Sequence, residues 1–187
     1  MPSLVSKLIQ DHRETVEALA GMSPEIERLG ALLVECLQGG NKVMLCGNGG
    51  SAADAQHIAA ELVARFETER RALPALALTT DTSALTAIGN DYGYLHVFSR
   101  QVAALGRQGD ALIAISTSGN SANVLAAVQA AREQGVVSIA LLGGSGGALK
   151  AAADHALVMP SAVTARVQEC HILVGHVWCA MVDAAFR

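Results

Sequence analysis

Short apolar runs alternate with helix-like stretches over most of the chain. A strand buried on both faces is continuously apolar, and parallel strands need a crossover segment between them. The alternation therefore predicts an α/β fold, a doubly wound parallel sheet of five strands flanked by helices on both faces. The five runs are Lys42–Gly47, Pro74–Thr79, Ala111–Ser116, Val136–Gly143 and His155–Pro160.

Two helices are predicted before the first of these runs. One extends from about Ser3 to Ala20, and the second begins at Ser23, which we expect to cap it, with Pro24 in its first turn. The pair Gly39 and Gly40 ends the second helix. Residues 1–40 thus form a helical extension, which we expect to serve in oligomerisation, on a single domain spanning residues 1–187.

The first apolar run ends in a glycine-rich loop, residues 47–51, that leads straight into a predicted helix from Ala52 to Arg65. Glycine permits positive φ angles and close approach of the backbone. The free N–H groups at the start of a helix attract negative charge. The loop therefore predicts binding of a phosphate or of a sugar hydroxyl.

A second loop of this kind follows the third run, at residues 116–121, before a predicted helix from Ala122 to Glu133. Four hydroxyl side chains occur within its six residues: Ser116, Thr117, Ser118 and Ser121. Any one of them could be only a helix cap. Together, after a buried strand, they favour a phosphate site.

A dinucleotide site is the alternative that the first loop leaves open. Gly47, Gly49 and Ala52 satisfy the pattern G-x-G-x-x-A. That pattern requires an acidic residue about 20 positions further on, whereas Asp81 lies 29 residues beyond Ala52. A nicotinamide-dependent oxidoreductase is therefore the more remote hypothesis.

Polar side chains recur on one face of two otherwise apolar helices. A solvated helix edge would explain either set, but the first begins one turn beyond an anion loop, so we expect it to line the same opening. His171 lies off the second set and is interpreted as a core residue. The sets are Asp54, His57, Glu61 and Arg65 in the first helix, and Gln168, Glu169, His176 and Asp183 in the last.

Composition and net charge indicate which kinds of molecule the chain can associate with. Hydrophobic residues make up 51% of the chain and charged residues 16%, and the mean hydropathy is +0.36. These values predict apolar surface buried between subunits. The net charge of −4 gives no footprint for nucleic acid or an anionic membrane. Four cysteines without CxxC spacing, and no apolar leader, predict a cytoplasmic protein with free thiols.

Four segments together resemble the sugar isomerase (SIS) domain family and, within it, the phosphoheptose isomerases. They are residues 47–66, 87–93, 115–124 and 165–176. Members of that group convert D-sedoheptulose 7-phosphate into D-glycero-D-manno-heptose 7-phosphate, for the heptose of bacterial surface polysaccharides such as the lipopolysaccharide core. The resemblance implies the same aldose–ketose isomerisation, through an enediolate, in a homotetramer with active sites between subunits.

The resemblance also implies roles for individual residues. Glu61 and His176 would be the acid/base pair, and one zinc ion per subunit would bind His57, Glu61, Gln168 and His176. Substrate contacts would come from both loops, from a pair of residues between the second and third apolar runs, and from both polar helix faces. They are Asn48, Gly49, Gly50, Ser51, Glu61, Arg65, Asn90, Asp91, Ser116, Thr117, Ser118, Ser121 and Gln168.

The chain departs from some members of the family at one position near the predicted site. Ala165 stands where those relatives carry an aspartate, so the site lacks that carboxylate. A non-catalytic SIS-domain protein that binds the initiator of DNA replication has a similar scaffold. The presence of both Glu61 and His176 favours the enzyme.

Overall fold

The computed structural model describes residues 3–187, which form eight α-helices and five β-strands. A single 3₁₀ turn spans Tyr94–His96. In chain order the elements are α1 (Leu4–Ala20), α2 (Ser23–Gln38), β1 (Val43–Gly47), α3 (Gly50–Val63), β2 (Ala75–Ala77), α4 (Thr82–Tyr92), α5 (Ser99–Leu105), β3 (Ala111–Ser116), α6 (Ala122–Glu133), β4 (Val137–Leu142), α7 (Leu149–Ala152), β5 (His155–Val158) and α8 (Thr164–Ala185).

The strands form one sheet in the order β2-β1-β3-β4-β5, and every neighbouring pair is parallel. This confirms the predicted doubly wound sheet of five strands. The chain leaves β1 toward β2 on one side and returns to β3 on the other. The carboxyl ends of β1 and β3 therefore enclose the point at which the strand order reverses, where ligands bind in open α/β sheets.

Alternate residues of the strands enter two separate cores. Val43 and Leu45 of β1 belong to the core beneath α2, α3 and α8. Met44 and Cys46 belong to the core beneath α5 and α6. Burial on both faces explains why the strands are apolar throughout instead of alternating with polar residues.

The two N-terminal helices are present as predicted, but the start of α2 differs in one detail. Met22, not Ser23, occupies the N-cap position and makes no side-chain cap. The Ser23 hydroxyl instead donates to the carbonyl oxygen of Ala20, at 2.7 Å. The tight turn after α1 brings that carbonyl oxygen within reach, which a prediction from α2 alone could not include.

Helix α2 packs against α8. The Trp178 Nε1 group donates to the Ile26 carbonyl oxygen at 2.9 Å. Helix α1 leaves large apolar side chains exposed near its start, namely Leu4, Val5, Leu8 and Ile9. Within residues 3–187, no helix combines the length and hydrophobicity that a bilayer span requires.

Candidate active site

The two predicted loops lie beside each other at the carboxyl ends of β1 and β3. Gly47, the last residue of β1, is opposite Ile115 in the sheet register. Gly49 has a φ of 56°, which a residue with a side chain rarely adopts, and it turns the chain into α3. Ser51 is buried beneath this turn, and a Cβ on Gly47 would lie 2.7 Å from the Ser51 Cβ. The turn therefore depends on glycine at both positions.

A side-chain network that the sequence did not indicate joins the two loops. The Asn48 and Asn123 amides exchange two hydrogen bonds of 2.9 Å. The Tyr94 hydroxyl donates to the same Asn48 oxygen at 3.0 Å. That oxygen already accepts two bonds, so Asn48 serves to hold the first loop in place. The available signal was the position of Asn123 in the first turn of the helix after the second loop.

Three of the four predicted hydroxyls of the second loop lie close together, and no hydrogen bond joins the Thr117 hydroxyl to them within residues 3–187. The Ser116 Oγ lies 2.9 Å from the Ser121 Oγ and 3.5 Å from the Ser118 Oγ. Ser121 occupies the N-cap position of α6, yet its side chain makes no capping hydrogen bond. Its hydroxyl therefore does not act as an ordinary helix cap. The serine cluster and the free N–H groups at the start of α6 form a polar surface suited to an anion.

Close backbone packing supports this second loop from behind. Gly119 has a φ of 67°, and a Cβ there would lie 2.0 Å from the Gly146 carbonyl oxygen. The Leu149 N–H donates to the Gly119 carbonyl at 3.0 Å. The glycine-rich segment after β4 thus fixes the conformation of the serine loop.

Asp81 has a different role from the one a dinucleotide site would give it. Its Oδ1 accepts the Ala84 N–H at 2.9 Å and so caps α4. The carboxylate is committed to that helix start. The dinucleotide alternative therefore lacks its acidic residue in the structure as well as in the spacing.

Asn90 and Asp91 lie exposed near the end of α4. The Asn90 amide donates to the Asp91 carboxylate at 2.7 Å. Arg65, also a predicted substrate contact, is exposed beyond the end of α3 and lies 3.6 Å from Glu69. None of these three side chains makes a hydrogen bond with either loop within residues 3–187.

Helices α3 and α8 run side by side and bring the predicted acid/base residues together. The Nε2 atoms of His57 and His176 are 3.0 Å apart. The Glu61 Oε1 lies 3.4 Å from the same His57 nitrogen. The Phe66 ring stacks on His176, with centroids 5.2 Å apart. Gln168 lies about two turns closer to the start of α8. It lies over Gly50, where a Cβ would be 2.2 Å from the Gln168 Nε2.

This arrangement differs from the expectation that the polar face of α3 lines the opening between the loops. Eleven residues separate Gly50 from Glu61, a distance of about 16 Å along an α-helix. Glu61 therefore lies far from the start of α3, and its contact with His57, which in turn contacts His176, places it beside α8. Only Asp54 lies within the first turns after the loop. The spacing correctly predicts a shared face, but the direction of that face depends on α8.

Asp54 and His171 are shaped by burial. Desolvation raises the Asp54 pKa, opposed by the nearby His57, and its Oδ2 has no hydrogen-bond partner. His171 is fully buried, and desolvation lowers its pKa to about 4 although its Nε2 lies 3.2 Å from the Leu142 carbonyl. His171 is thus a core residue, as predicted.

The remaining polar residues of α8 bind other parts of the chain. Glu169 pairs with His12 of α1 at 2.7 Å and with Arg166. Asp183 is buried and binds Arg70 at 2.7 Å. Hydrogen bonds from the backbone N–H groups of Thr68 and Glu67, and the bond from Arg70, hold the Asp183 pKa at about 2 despite its desolvation.

The donor types around His57 suit zinc, because imidazole and carboxylate are its ligands in catalytic sites. Two facing imidazole nitrogens also require either a shared proton or a shared cation between them. No group of three or more His, Cys, Asp or Glu side chains in residues 3–187 is, however, arranged to hold a metal ion. Gln168, with its amide over Gly50, lies apart from the two histidines.

Comparison with known proteins agrees across the whole chain. Residues 8–143 match the SIS domain family. Phosphoheptose isomerase 1 of Campylobacter jejuni is 54% identical over 186 residues, covering 100% of both chains. Two solved structures of phosphoheptose isomerases are also similar. That from Neisseria gonorrhoeae is 48% identical with a TM-score of 0.88, covering 97% of this chain and 100% of the other. That from Francisella tularensis is 40% identical with a TM-score of 0.90, covering 98% and 100%.

Proposed function

Because the chain belongs to the phosphoheptose isomerases of the SIS domain family, we propose that it interconverts D-sedoheptulose 7-phosphate and D-glycero-D-manno-heptose 7-phosphate. The product would supply the heptose of surface polysaccharides, including the lipopolysaccharide core. A cytoplasmic location fits a reaction on a free sugar phosphate. The main alternative, a non-catalytic protein that binds the replication initiator, is not favoured, since the relatives named above are isomerases.

The observation that carries this proposal is the pair of loops at the switch point of the sheet. The serine cluster at the start of α6 places the Ser118 and Ser121 hydroxyls within 3.5 Å of the Ser116 hydroxyl, together with helix N–H groups, and so suits the phosphate. The glycine loop beside it leaves backbone N–H groups for sugar hydroxyls. Holding the phosphate supplies binding energy remote from the reacting carbons and fixes their position.

Glu61 and His176 would carry out the proton transfers. Isomerisation removes the proton from C1 of the ketose, forms a cis-enediolate and returns a proton to C2. A carboxylate can accept and return that proton, which is the role of Glu61. An imidazole can move a proton between the O1 and O2 oxygens, which is the role of His176. His57, between the two side chains, keeps them in one cluster.

We also propose that one zinc ion binds at His57, Glu61 and His176. The donor types support this set, and the three side chains would have to rearrange around the ion, since they do not form a metal-binding group as they stand within residues 3–187. The fourth predicted ligand, Gln168, would have to leave Gly50 to join it. When bound, the ion would polarise the substrate carbonyl as a Lewis acid. Metal analysis of purified protein and of His57→Ala tests the site independently of activity.

Distances along α3 support an active site shared between subunits. The seven carbons of the sugar are joined by six bonds of about 1.5 Å, so they span less than about 9 Å. Glu61 lies about 16 Å along α3 from the glycine loop of its own chain. We propose a homotetramer in which the glycine and serine loops of one chain and the Glu61–His176 cluster of another complete each site. The exposed apolar residues of α1 suit the subunit contacts.

An NMR assay of the purified protein with sedoheptulose 7-phosphate tests the function directly. Conversion to the aldose is the expected result, with a lower rate after chelation that zinc restores. The same protein is tested for binding to the replication initiator. Binding without any conversion of the sugar would contradict the proposal.

A further inference from the structure

A buried ion pair lies directly behind the Glu61–His176 cluster. Arg70 and Asp183 have side chains that are 0% and 3% exposed, with the Arg70 Nε 2.7 Å from the Asp183 Oδ1. Each side chain also makes hydrogen bonds outside the pair, Arg70 to the end of α3 and Asp183 to the segment that follows α3. Together they connect the end of α3, the segment after it and α8.

Arg70 binds the end of α3. Its Nη2 donates to the Glu61 carbonyl at 2.8 Å and its Nη1 to the Leu62 carbonyl at 3.0 Å. The last carbonyls of a helix have no intrahelical donor, so they need such partners. One of the two carbonyls belongs to Glu61 itself. The backbone that carries the proposed base is thus tied to the guanidinium.

Asp183 binds the segment that follows. Its Oδ2 accepts the N–H groups of Glu67 and Thr68, at 2.8 and 2.9 Å. These bonds fix the turn that places Phe66 on the face of His176. Asp183 is also seven residues beyond His176 on α8, two turns along the same face. The ion pair therefore sets both the position of Glu61 and the packing surface of His176.

A buried ion pair is a weak source of net stability, because desolvation offsets the attraction between the charges. The Arg70–Asp183 pair is better explained by the specific backbone arrangement that its hydrogen bonds hold. We propose that Arg70 and Asp183 are positioning residues for the reaction, which hold Glu61 and His176 in their productive geometry through the end of α3 and through Phe66. This inference rests on the proposed roles of Glu61 and His176.

The test separates positioning from stability by replacing both charges at once. Arg70→Met combined with Asp183→Leu removes the network without leaving a buried unpaired charge. The proposal predicts a kcat lowered about 10- to 100-fold, as misplacement of catalytic groups produces, with KM within about twofold of wild type. The carbon-13 signals of the His176 ring should shift in the same variant.

Phe66→Leu provides a second variant, which leaves the ion pair intact and removes only the ring on His176. It should lower kcat in the same direction and shift the same ring signals. This variant keeps the proposal testable should the double variant not fold.

The chain offers a matched control at the amino ends of β1 and β3. Lys42 and Asp110 form a second ion pair with little exposure, and Asp110 also accepts backbone N–H groups, those of Lys42 and Arg107, at 3.0 and 2.9 Å. Lys42→Met with Asp110→Leu should lose comparable stability while kcat stays at the wild-type value.

Each outcome has one meaning. A wild-type protein that does not isomerise sedoheptulose 7-phosphate contradicts the proposed function. An active wild type together with a wild-type kcat in folded Arg70→Met/Asp183→Leu, or in Phe66→Leu, overturns the positioning role. An equal loss of kcat in the Lys42–Asp110 control also overturns it, since the effect would then follow stability alone.

Discussion

Individual hydroxyls of the serine loop carry the proposed contact with phosphate. Ser118→Ala or Ser121→Ala would delete one hydrogen bond to the charged phosphate, worth about 1.5–3 kcal/mol. We expect KM for the sugar phosphate to rise about tenfold or more in each variant, with the fold unchanged. Steady-state kinetics measures this, and Ser83→Ala at the exposed start of α4 is the control. An unchanged KM in both loop variants contradicts the phosphate site.

His171 makes the stability of the protein depend on pH. Its pKa is about 4 in the folded state against 6.5 for a free imidazole. The folded state thus excludes a proton that the unfolded chain binds, so stability is complete above pH 6.5 and falls as the pH drops toward 4. The loss attributable to His171 should reach about 2 kcal/mol near pH 5.

Urea unfolding at pH 7 and pH 5 measures this loss. In His171→Leu no imidazole is left to titrate, so the difference between the two pH values should shrink by that amount. A difference equal to that of wild type would mean that other groups cause the acid sensitivity.

At the level of elements, the contact between α3 and α8 depends on a small residue. A Cβ on Gly175 of α8 would lie 2.5 Å from the Ile58 Cδ1 and 2.8 Å from its Cγ1. Ile58 is buried and β-branched, so it has little freedom to move. Gly175→Ala should lower the free energy of unfolding by about 1–3 kcal/mol through overpacking.

Chemical denaturation of two further variants checks the cause. Gly89→Ala, in α4, meets nothing within 4 Å and should raise stability by about 0.5–1 kcal/mol, as alanine does in a helix. Adding Ile58→Val to Gly175→Ala should restore part of the loss. If Gly175→Ala proves as stable as Gly89→Ala, the close packing is not what holds the helices at this distance.

Elements built from local patterns were predictable, and those built from distant contacts were not. The bounds of α6, Ala122–Glu133, agree with the prediction, and α3 begins only two residues earlier than expected, at Gly50. The hydroxyl cluster could also be predicted, because its members are close in the sequence. The Asn48–Asn123 network and the Arg70–Asp183 pair join residues 75 and 113 positions apart. No local period indicates such pairs.

We expect the whole molecule to be an assembly of several copies of this chain. Leu4 and Val5 are 73% and 65% exposed in the single chain, and large exposed apolar patches mark interaction surfaces. A tetrameric mass by light scattering at micromolar concentration is expected. Leu8→Glu combined with Ile9→Glu should lower that mass, and it should lower kcat with it if the sites are shared. A wild-type monomer that isomerises the sugar at full rate would contradict both proposals.

We propose that Glu61 is the base with which this chain isomerises sedoheptulose 7-phosphate. The most direct measurement is NMR in deuterated solvent, which follows both aldose formation and deuterium incorporation at C1 of the ketose, in wild type and in Glu61→Gln. The glutamine keeps the shape of the side chain but cannot accept the proton. Both rates should fall by about 10² to 10⁴ in the folded variant if Glu61 accepts the proton. Wild-type rates of exchange and isomerisation in Glu61→Gln would contradict this proposal.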